Sequence, residues 1–356
     1  MLRSLLIARL LREESFLAVE ALVRSPARKS MGVRVQFGDD VLGYFTERLD
    51  AGRLREAIIG IVHRAKRNKA FEKSRRIGLA LDGTGAGRSH ENLCDQCRPV
   101  RNEKKEIVSY HHKLVMISVV GTGLSLPLDI EPYGPGDSEY AAGQRLLKRS
   151  IGNLGSRFAD YVVVDGGFAT ATFLHTVGDI GLKVIARLKG NLPELYEAAQ
   201  RRFASKPPNQ IFREGPDRIE IWDADDFDPW ETLRWKTVRV IRYRQHKPDG
   251  TTVEAYWLTD FSKTEAGSQA LYYMAKSRWE IENQGFNDAK NRHGFEHICH
   301  HHPISLLVNW LIIVLTLTLE RLYRNRYLHR GIHGILEPIE LFRLLWISLG
   351  KWSNTS

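Results

Sequence analysis

The sequence predicts an α/β fold on three observations. Apolar runs of strand length occur at RIGLALDG, KLVMISVVG and YVVVDGGF; helical patterns lie between and after them in SEYAAGQRLLKRSIGNL and ATATFLHTVGDIG; and a further strand follows at KVIARLK. Strands that alternate with helices pair in parallel, because the chain must cross back over the sheet to start the next strand.

Residues 1 to about 77 read as helices. The opening MLRSLLIARLLREESFLAVEALVR is basic and apolar, but Glu13, Glu14 and Glu20 interrupt it, which predicts an amphipathic helix rather than a targeting segment. In AGRLREAIIGIVHRAKRNKAF, Leu54, Ala57, Ile58, Ile61, Val62 and Ala65 mark one apolar face. Lys66, Arg67, Lys69, Lys73, Arg75 and Arg76 then form a basic stripe, which either contacts phosphates or is a solvated face.

The strands RIGLALDG, KLVMISVVG and LSLPLDIEP come next, with a polar stretch from Arg88 to Glu106 after the first. From about 208 to 260 the runs RIEIW, TVRVIRYR and VEAYWLTDF, with a turn at Lys247-Pro248-Asp249-Gly250, predict a β-rich insertion. Helix returns from about Lys263 to Asn291. The stretch from Ile304 to Tyr323 approaches bilayer-spanning length, but Asn309, Glu320 and Arg321 favour a buried core helix and no membrane.

Composition narrows the partner. The 356 residues carry 52 Lys and Arg against 42 Asp and Glu, a net charge of +10 that favours a polyanion, either nucleic acid or an acidic membrane surface. Three cysteines, Cys94, Cys97 and Cys299, are too few for a disulfide framework and point to a reducing compartment, the cytoplasm. The glycine-rich DGTGAGRS lacks the lysine of a P-loop, having Arg88 in its place, which argues against an NTPase.

Asp82 ends the apolar run IGLALD and Asp165 ends VVVD, each followed by glycine. A carboxylate at the carboxyl end of a core strand is held rigidly, and the glycine lets a substrate backbone approach. Carboxylate oxygens are the ligands that Mg²⁺ or Mn²⁺ prefer, and two such ions can activate an attacking oxygen and stabilise a leaving one at a phosphodiester. In MAKSRWEIENQGFNDAKNRHG, Arg278, Glu282, Phe286 and Lys290 recur every four residues and so share a helical face. Glu282 would complete the metal site, with Arg278 and Lys290 contacting DNA phosphates; the alternative is a solvated ion-pair face. Glu131, at the end of LSLPLDIE, is either a supporting carboxylate or a turn residue.

His90, Cys94 and Cys97 in SHENLCDQC, with His111 and His112 following, are candidate ligands of a structural Zn²⁺; His90, Cys94, Cys97 and His111 make the expected set. The alternative is a polar loop with two reduced thiols. His297, Cys299, His300, His301 and His302 form a second cluster, although consecutive histidines cannot all face one ion.

LALDGTG, YVVVDGGFA and RWEIENQGFNDAKNRHGFEH, in this order, resemble the bacterial insertion-sequence transposases of the DDE type, in particular the insertion-sequence-four-like group. VLGYFTERLDAGRLREAIIGIVHRAKRNKAF extends the resemblance upstream, so that it covers most of residues 40 to 325. Arg278 reproduces the arginine that this group places four residues before the glutamate. Lys290 falls one residue later than the commonest spacing, and Ala275 stands where the broader group has tyrosine.

The resemblance implies an RNase H-like catalytic core, divalent-metal dependence, nicking at element ends and transfer of the released 3′-hydroxyl into target DNA, with double-stranded DNA as partner and a homodimer as the acting form. The expected organisation is a helical DNA-contacting region over 1–77, the first part of the core over 78–207 with a Cys/His loop at 88–112, a β-rich insertion over 208–260, core helices with Glu282 and the closing helix over 261–335, and a tail helix over 336–356. The competing expectations are a metal-dependent nuclease without strand transfer and a catalytically inactive DNA-binding remnant.

Overall fold

Five helices precede the first strand: α1 (Leu2–Leu10), α2 (Phe16–Arg24), α3 (Ala27–Ser30), α4 (Asp39–Arg48) and α5 (Ala51–Arg67). The opening segment is thus two helices and not one. Ser15 breaks it by accepting the Ala18 N–H as the N-cap of α2, after Arg12 has turned the chain with a φ of +61°. The computed structural model describes residues 1–72, 74–328 and 337–353, so Lys73 of the basic stripe lies outside the described residues.

The remaining elements are β1 (Gly78–Ser89), β2 (Arg98–Arg101), β3 (Ile107–Val120), β4 (Leu126–Pro132), α6 (Glu139–Leu154), β5 (Tyr161–Val164), α7 (Ala171–Asp179), β6 (Lys183–Leu188), α8 (Pro193–Ala204), β7 (Gln210–Glu214), β8 (Asp217–Phe227), β9 (Val238–His246), β10 (Thr252–Thr259), α9 (Ser268–Lys276), α10 (Asn287–His293), α11 (Pro303–Tyr323) and α12 (Pro338–Ser353). The strands join one sheet in the order β2-β3-β1-β5-β6-β10-β9-β8-β7, with β4 also on β3.

β1, β5 and β6 pair in parallel, as the strand–helix alternation requires, whereas β3 and β4 are antiparallel neighbours on the other side of β1. The β-rich segment does not stand apart. β10 pairs antiparallel with β6, so β7–β10 continue the same sheet.

Each sheet face has its own apolar layer, as a side-chain period of two demands. Leu79 and Leu81 of β1 and Val162 and Val164 of β5 pack with α6, α7 and α8. Ala80 and Val163 face the other way, toward α9, α11 and the N-terminal helices. α5 reaches both layers, giving Leu54 and Ile58 to one and Ile59, Val62 and Ala65 to the other.

α11 is long and apolar enough to cross a membrane by length and composition, yet 78% of its apolar window is buried inside the fold. Leu311, Ile312, Ile313 and Val314 are each at most 1% exposed, so each is expected to contribute roughly 1.5–3 kcal/mol by burial. Its Asn309 side chain donates to the Ser305 carbonyl one turn back.

The glycine-rich stretch after Asp82 is strand and not loop. β1 continues to Ser89 against β3, with a bulge where Gly87 takes a φ of +64°. A Cβ there would lie 2.5 Å from Ile298, so both the backbone and the neighbour require glycine. The expected 88–112 loop is correspondingly shorter, since β2 pairs with the start of β3.

Candidate active site

β1 and β5 run parallel with Ala80 opposite Val163 and Leu81 opposite Val164, so continuing the register by one residue sets Asp82 beside Asp165. Neighbouring strands lie about 4.8 Å apart. Asp82 has the parity of Ala80 and Asp165 that of Val163, so both leave the sheet on the face covered by α9 and the segment after it. Two aspartates 83 positions apart in sequence therefore stand side by side for reasons of register and pleat.

The third carboxylate arrives from above this face. The regular helix expected through residue 291 is broken: α9 ends at Lys276, and Ile281–Phe286 form a π-helical turn before α10. The fourfold spacing therefore places Arg278 beside Glu282 but does not carry through to Lys290, whose ammonium pairs with Glu296 at 2.9 Å. Three anchors fix this segment. Ser277 bonds the Tyr161 hydroxyl at 3.1 Å, Glu280 accepts the Gly121 N–H, and Arg321 of α11 donates to the Gln284 carbonyl within the π turn.

Arg278 connects the carboxylates. Its Nη1 lies 3.1 Å from Asp82 and 2.8 Å from Glu282, and its side chain is only 5% exposed. It also stacks on the exposed Trp279 ring, with the guanidinium 4.4 Å from the centroid. Arg278 is thus buried against the acids rather than held out toward solvent.

The two aspartates are tuned apart. Burial drives the Asp82 carboxyl up to about 7, Arg278 and the Gly83 N–H oppose the rise, and the nearby Glu282 and Glu139 reinforce it. At Asp165 burial also acts upward, but Lys189, at 3.0 Å, together with the Gly166 N–H and Arg278, holds the carboxyl below its ordinary value.

A protein-family model described as a transposase DDE domain matches residues 73–319. The chain belongs to the transposase DDE domain family. No curated protein matches it. Among solved structures, it is similar to a piggyBac transposase synaptic complex with hairpin DNA, at 13% identity and a TM-score of 0.43, over 78% of this chain and 52% of that one. The chain therefore spans about half the length of that transposase.

The surroundings of these three carboxylates include groups that the sequence did not single out. Glu139, the first residue of α6, accepts from the Tyr133 hydroxyl at 3.2 Å and lies against Gly83, where a Cβ would sit 2.3 Å from its carboxyl carbon. The space left by Gly83 is therefore taken by Glu139 rather than left open for a substrate backbone. Gly166 similarly makes room for Asn191, which donates to its carbonyl at 2.9 Å. Arg187 and Lys189 share the parity of Ile185, which brings them to the Asp165 side of the sheet; strand parity applied to KVIARLK is the signal that finds them.

Other candidates lie elsewhere. Lys66 donates to the carbonyls of Phe158 at 2.7 Å and Arg157 at 3.3 Å and sits over the Phe158 ring, at the edge of the sheet where β1 and β5 begin, opposite the end bearing Asp82 and Asp165. Lys69 pairs with Glu72 at 3.2 Å, and Arg67 is exposed at the end of α5. Glu131 binds Arg145 and Arg149 in a network with Asp129, which supports β4 rather than the candidate carboxylates Asp82, Asp165 and Glu282.

The expected zinc set is corrected by the pleat. His111 and His112 are successive residues of β3 and face opposite ways, so His112 turns inward to the thiols while His111 does not; His90 is exposed just past the end of β1. Cys94 and Cys97 are joined instead by His112 and His301.

Proposed function

We propose that this chain is a DNA transposase of the insertion-sequence-four-like group, cutting DNA at the ends of an insertion sequence and joining the released 3′-hydroxyl to target DNA. Asp82, Asp165 and Glu282 are the catalytic carboxylates in this reading. The observation that carries it is the convergence of Asp82 and Asp165 from adjacent parallel strands onto the face where Glu282 is pinned through Arg278. Family membership supports it. So does the sheet order: an antiparallel β4-β3-β1 unit joined to the parallel set β1-β5-β6 fits an RNase H-like core, with β7–β10 as its insertion.

The donor set fits divalent cations. Asp82 and Glu282 share the Arg278 guanidinium, Asp165 stands beside Asp82 with Lys189 as its partner, and Glu139 lies close by; the high value of Asp82 reports its burial above all, with Glu282 and Glu139 adding to the rise. Asp82, Asp165 and Glu282 would hold Mg²⁺ or Mn²⁺, which when bound supplies activation of the attacking oxygen and charge stabilisation at phosphorus. The protein supplies the rest. The sheet sets the two aspartates side by side, Arg278 orients Asp82 and Glu282 together, and Arg187 and Lys189 bring positive charge toward a phosphate beside Asp165. Water attacks first and leaves a 3′-hydroxyl, which then attacks the target strand. Double-stranded DNA is the partner, a homodimer joins two ends, and the cytoplasmic nucleoid is the place of action.

The test is nicking of duplex DNA carrying the element ends in Mg²⁺ or Mn²⁺, comparing the native chain with Asp165→Asn. The variant is expected to lose at least about 10³-fold in rate while still binding the duplex. Metal-dependent cutting without joining would leave a nuclease. Binding with no cutting by the native chain in any metal would overturn the reading in favour of an inactive DNA-binding remnant.

A further inference from the structure

The geometry points to a second metal centre, chemically distinct from the carboxylates: Cys94, Cys97, His112 and His301 form a Cys₂His₂ site for one structural zinc ion. One ligand atom from each of the four lies within 4.8 Å of every other. The two sulfurs are 3.7 Å apart, and His112 Nε2 is 3.2 Å from Cys94 Sγ and 3.6 Å from Cys97 Sγ. A tetrahedral ion with Zn–S near 2.3 Å and Zn–N near 2.0–2.1 Å places its sulfurs about 3.8 Å apart and each sulfur about 3.5 Å from a nitrogen. The two thiols and His112 already stand near these separations, and His301 lies within 4.8 Å of each.

Three further observations agree. All three cysteines of the chain are free thiols, so neither Cys94 nor Cys97 is committed to a disulfide. His112 and Cys97 are buried, at 3% and 4% exposure, which suits a closed structural site rather than an open catalytic one. His301 Nδ1 is buried with no hydrogen-bond partner among the described residues, and a metal bond would satisfy such a group. Two thiolates and two imidazoles select zinc over Mg²⁺, which prefers oxygen. Binding releases two thiol protons to solvent and involves no change of oxidation state.

The ligands come from separate parts of the chain. Cys94 and Cys97 lie in the turn between β1 and β2, His112 on β3, and His301 on the stretch between α10 and α11. Zinc would clamp the far end of the β1–β3 pair to the segment that leads from Glu282 into the closing helix. Such a clamp joins the strand of Asp82 to the segment of Glu282 without touching either carboxylate.

The experiment measures zinc by mass spectrometry in the full chain, expressed with zinc in the medium and dialysed against metal-free buffer. About one zinc per chain is expected, retained in His90→Ala, His111→Ala and Asp165→Asn and falling at least about tenfold in His301→Ala. His301 is only partly buried, so this variant should keep its fold, which circular dichroism checks. Co²⁺ added to the metal-free native chain should give the visible bands of a tetrahedral sulfur-ligated ion, absent in His301→Ala. A native chain that holds no zinc and gives no Co²⁺ bands overturns the proposal. So does zinc retained in both His301→Ala and His112→Ala, or zinc lost in Asp165→Asn.

Discussion

Asp82→Asn is expected to abolish DNA cleavage, by about 10³-fold or more, and at the same time to stabilise the metal-free fold. The second effect follows from the environment of the carboxyl. Its ordinary value is 3.8, and in the native chain burial raises it to about 7. Between pH 4 and 7 the native state therefore holds a proton that the unfolded chain has released, and stability falls as pH rises through that window. By pH 8 the charged carboxylate costs the native state up to roughly 4 kcal/mol, which asparagine does not incur. Urea unfolding of both chains in chelator should show a gain for the variant at pH 8 that disappears near pH 4. Equal stability of the two chains at pH 8 would show that Arg278 already neutralises Asp82. Added Mg²⁺ should narrow the difference at pH 8, because only the native chain retains all three proposed carboxylate ligands.

The largest loss of stability is expected from Arg239→Met. Arg239 and Asp223 face each other across β9 and β8 with side chains 3% and 2% exposed and contacts of 2.8 and 2.6 Å. Arg239 also donates to the carbonyls of Phe261 and Ala266, and Ser268 donates to Asp223, so the pair binds the outer strands to the entry of α9. Removing the guanidinium strands a buried carboxylate, at a cost of roughly 3–5 kcal/mol. The double variant Asp223→Leu/Arg239→Met should recover more than half of that loss, because no charge is left buried without a partner. Chemical denaturation measures both. A single variant within about 1 kcal/mol of the native chain would mean that water reaches Asp223.

Much of this arrangement was legible in the sequence. Strand–helix alternation marked β1, β5 and β6 and their parallel pairing, and strand-end position picked out Asp82 and Asp165, because both features are set by local pattern. α8 was missed, and the strand character of the glycine-rich stretch was hidden by its composition: glycine has little β-propensity, and its pairing there comes from the backbone of β3. Lys189 and Glu139 escaped notice because they belong to a different strand and helix from the residues they approach. Parity on β3 would have chosen His112 over His111, since His112 shares the face of Leu114 and Met116. No local pattern connects His301 to the cysteines, because only the tertiary fold closes that loop. The fourfold spacing from Glu282 to Lys290 was interrupted for a different reason. A π turn holds an extra residue, so a spacing counted on regular helix loses its meaning downstream of Glu282.

The contact between Arg321 and the π turn extends the proposed catalytic unit beyond the region matched by the family model. The match ends at residue 319, and Asp82, Asp165 and Glu282 all lie before that point. Arg321 lies just after it. Its guanidinium holds the Gln284 carbonyl, Asp288 at 2.8 Å and the Ser125 carbonyl at 2.7 Å, which ties the turn bearing Glu282 to the strand that begins at Leu126. A chain cut after residue 319 would keep all three proposed catalytic acids and lose the brace on the turn that carries Glu282, so on the proposed function the smallest competent fragment is expected to reach at least residue 321.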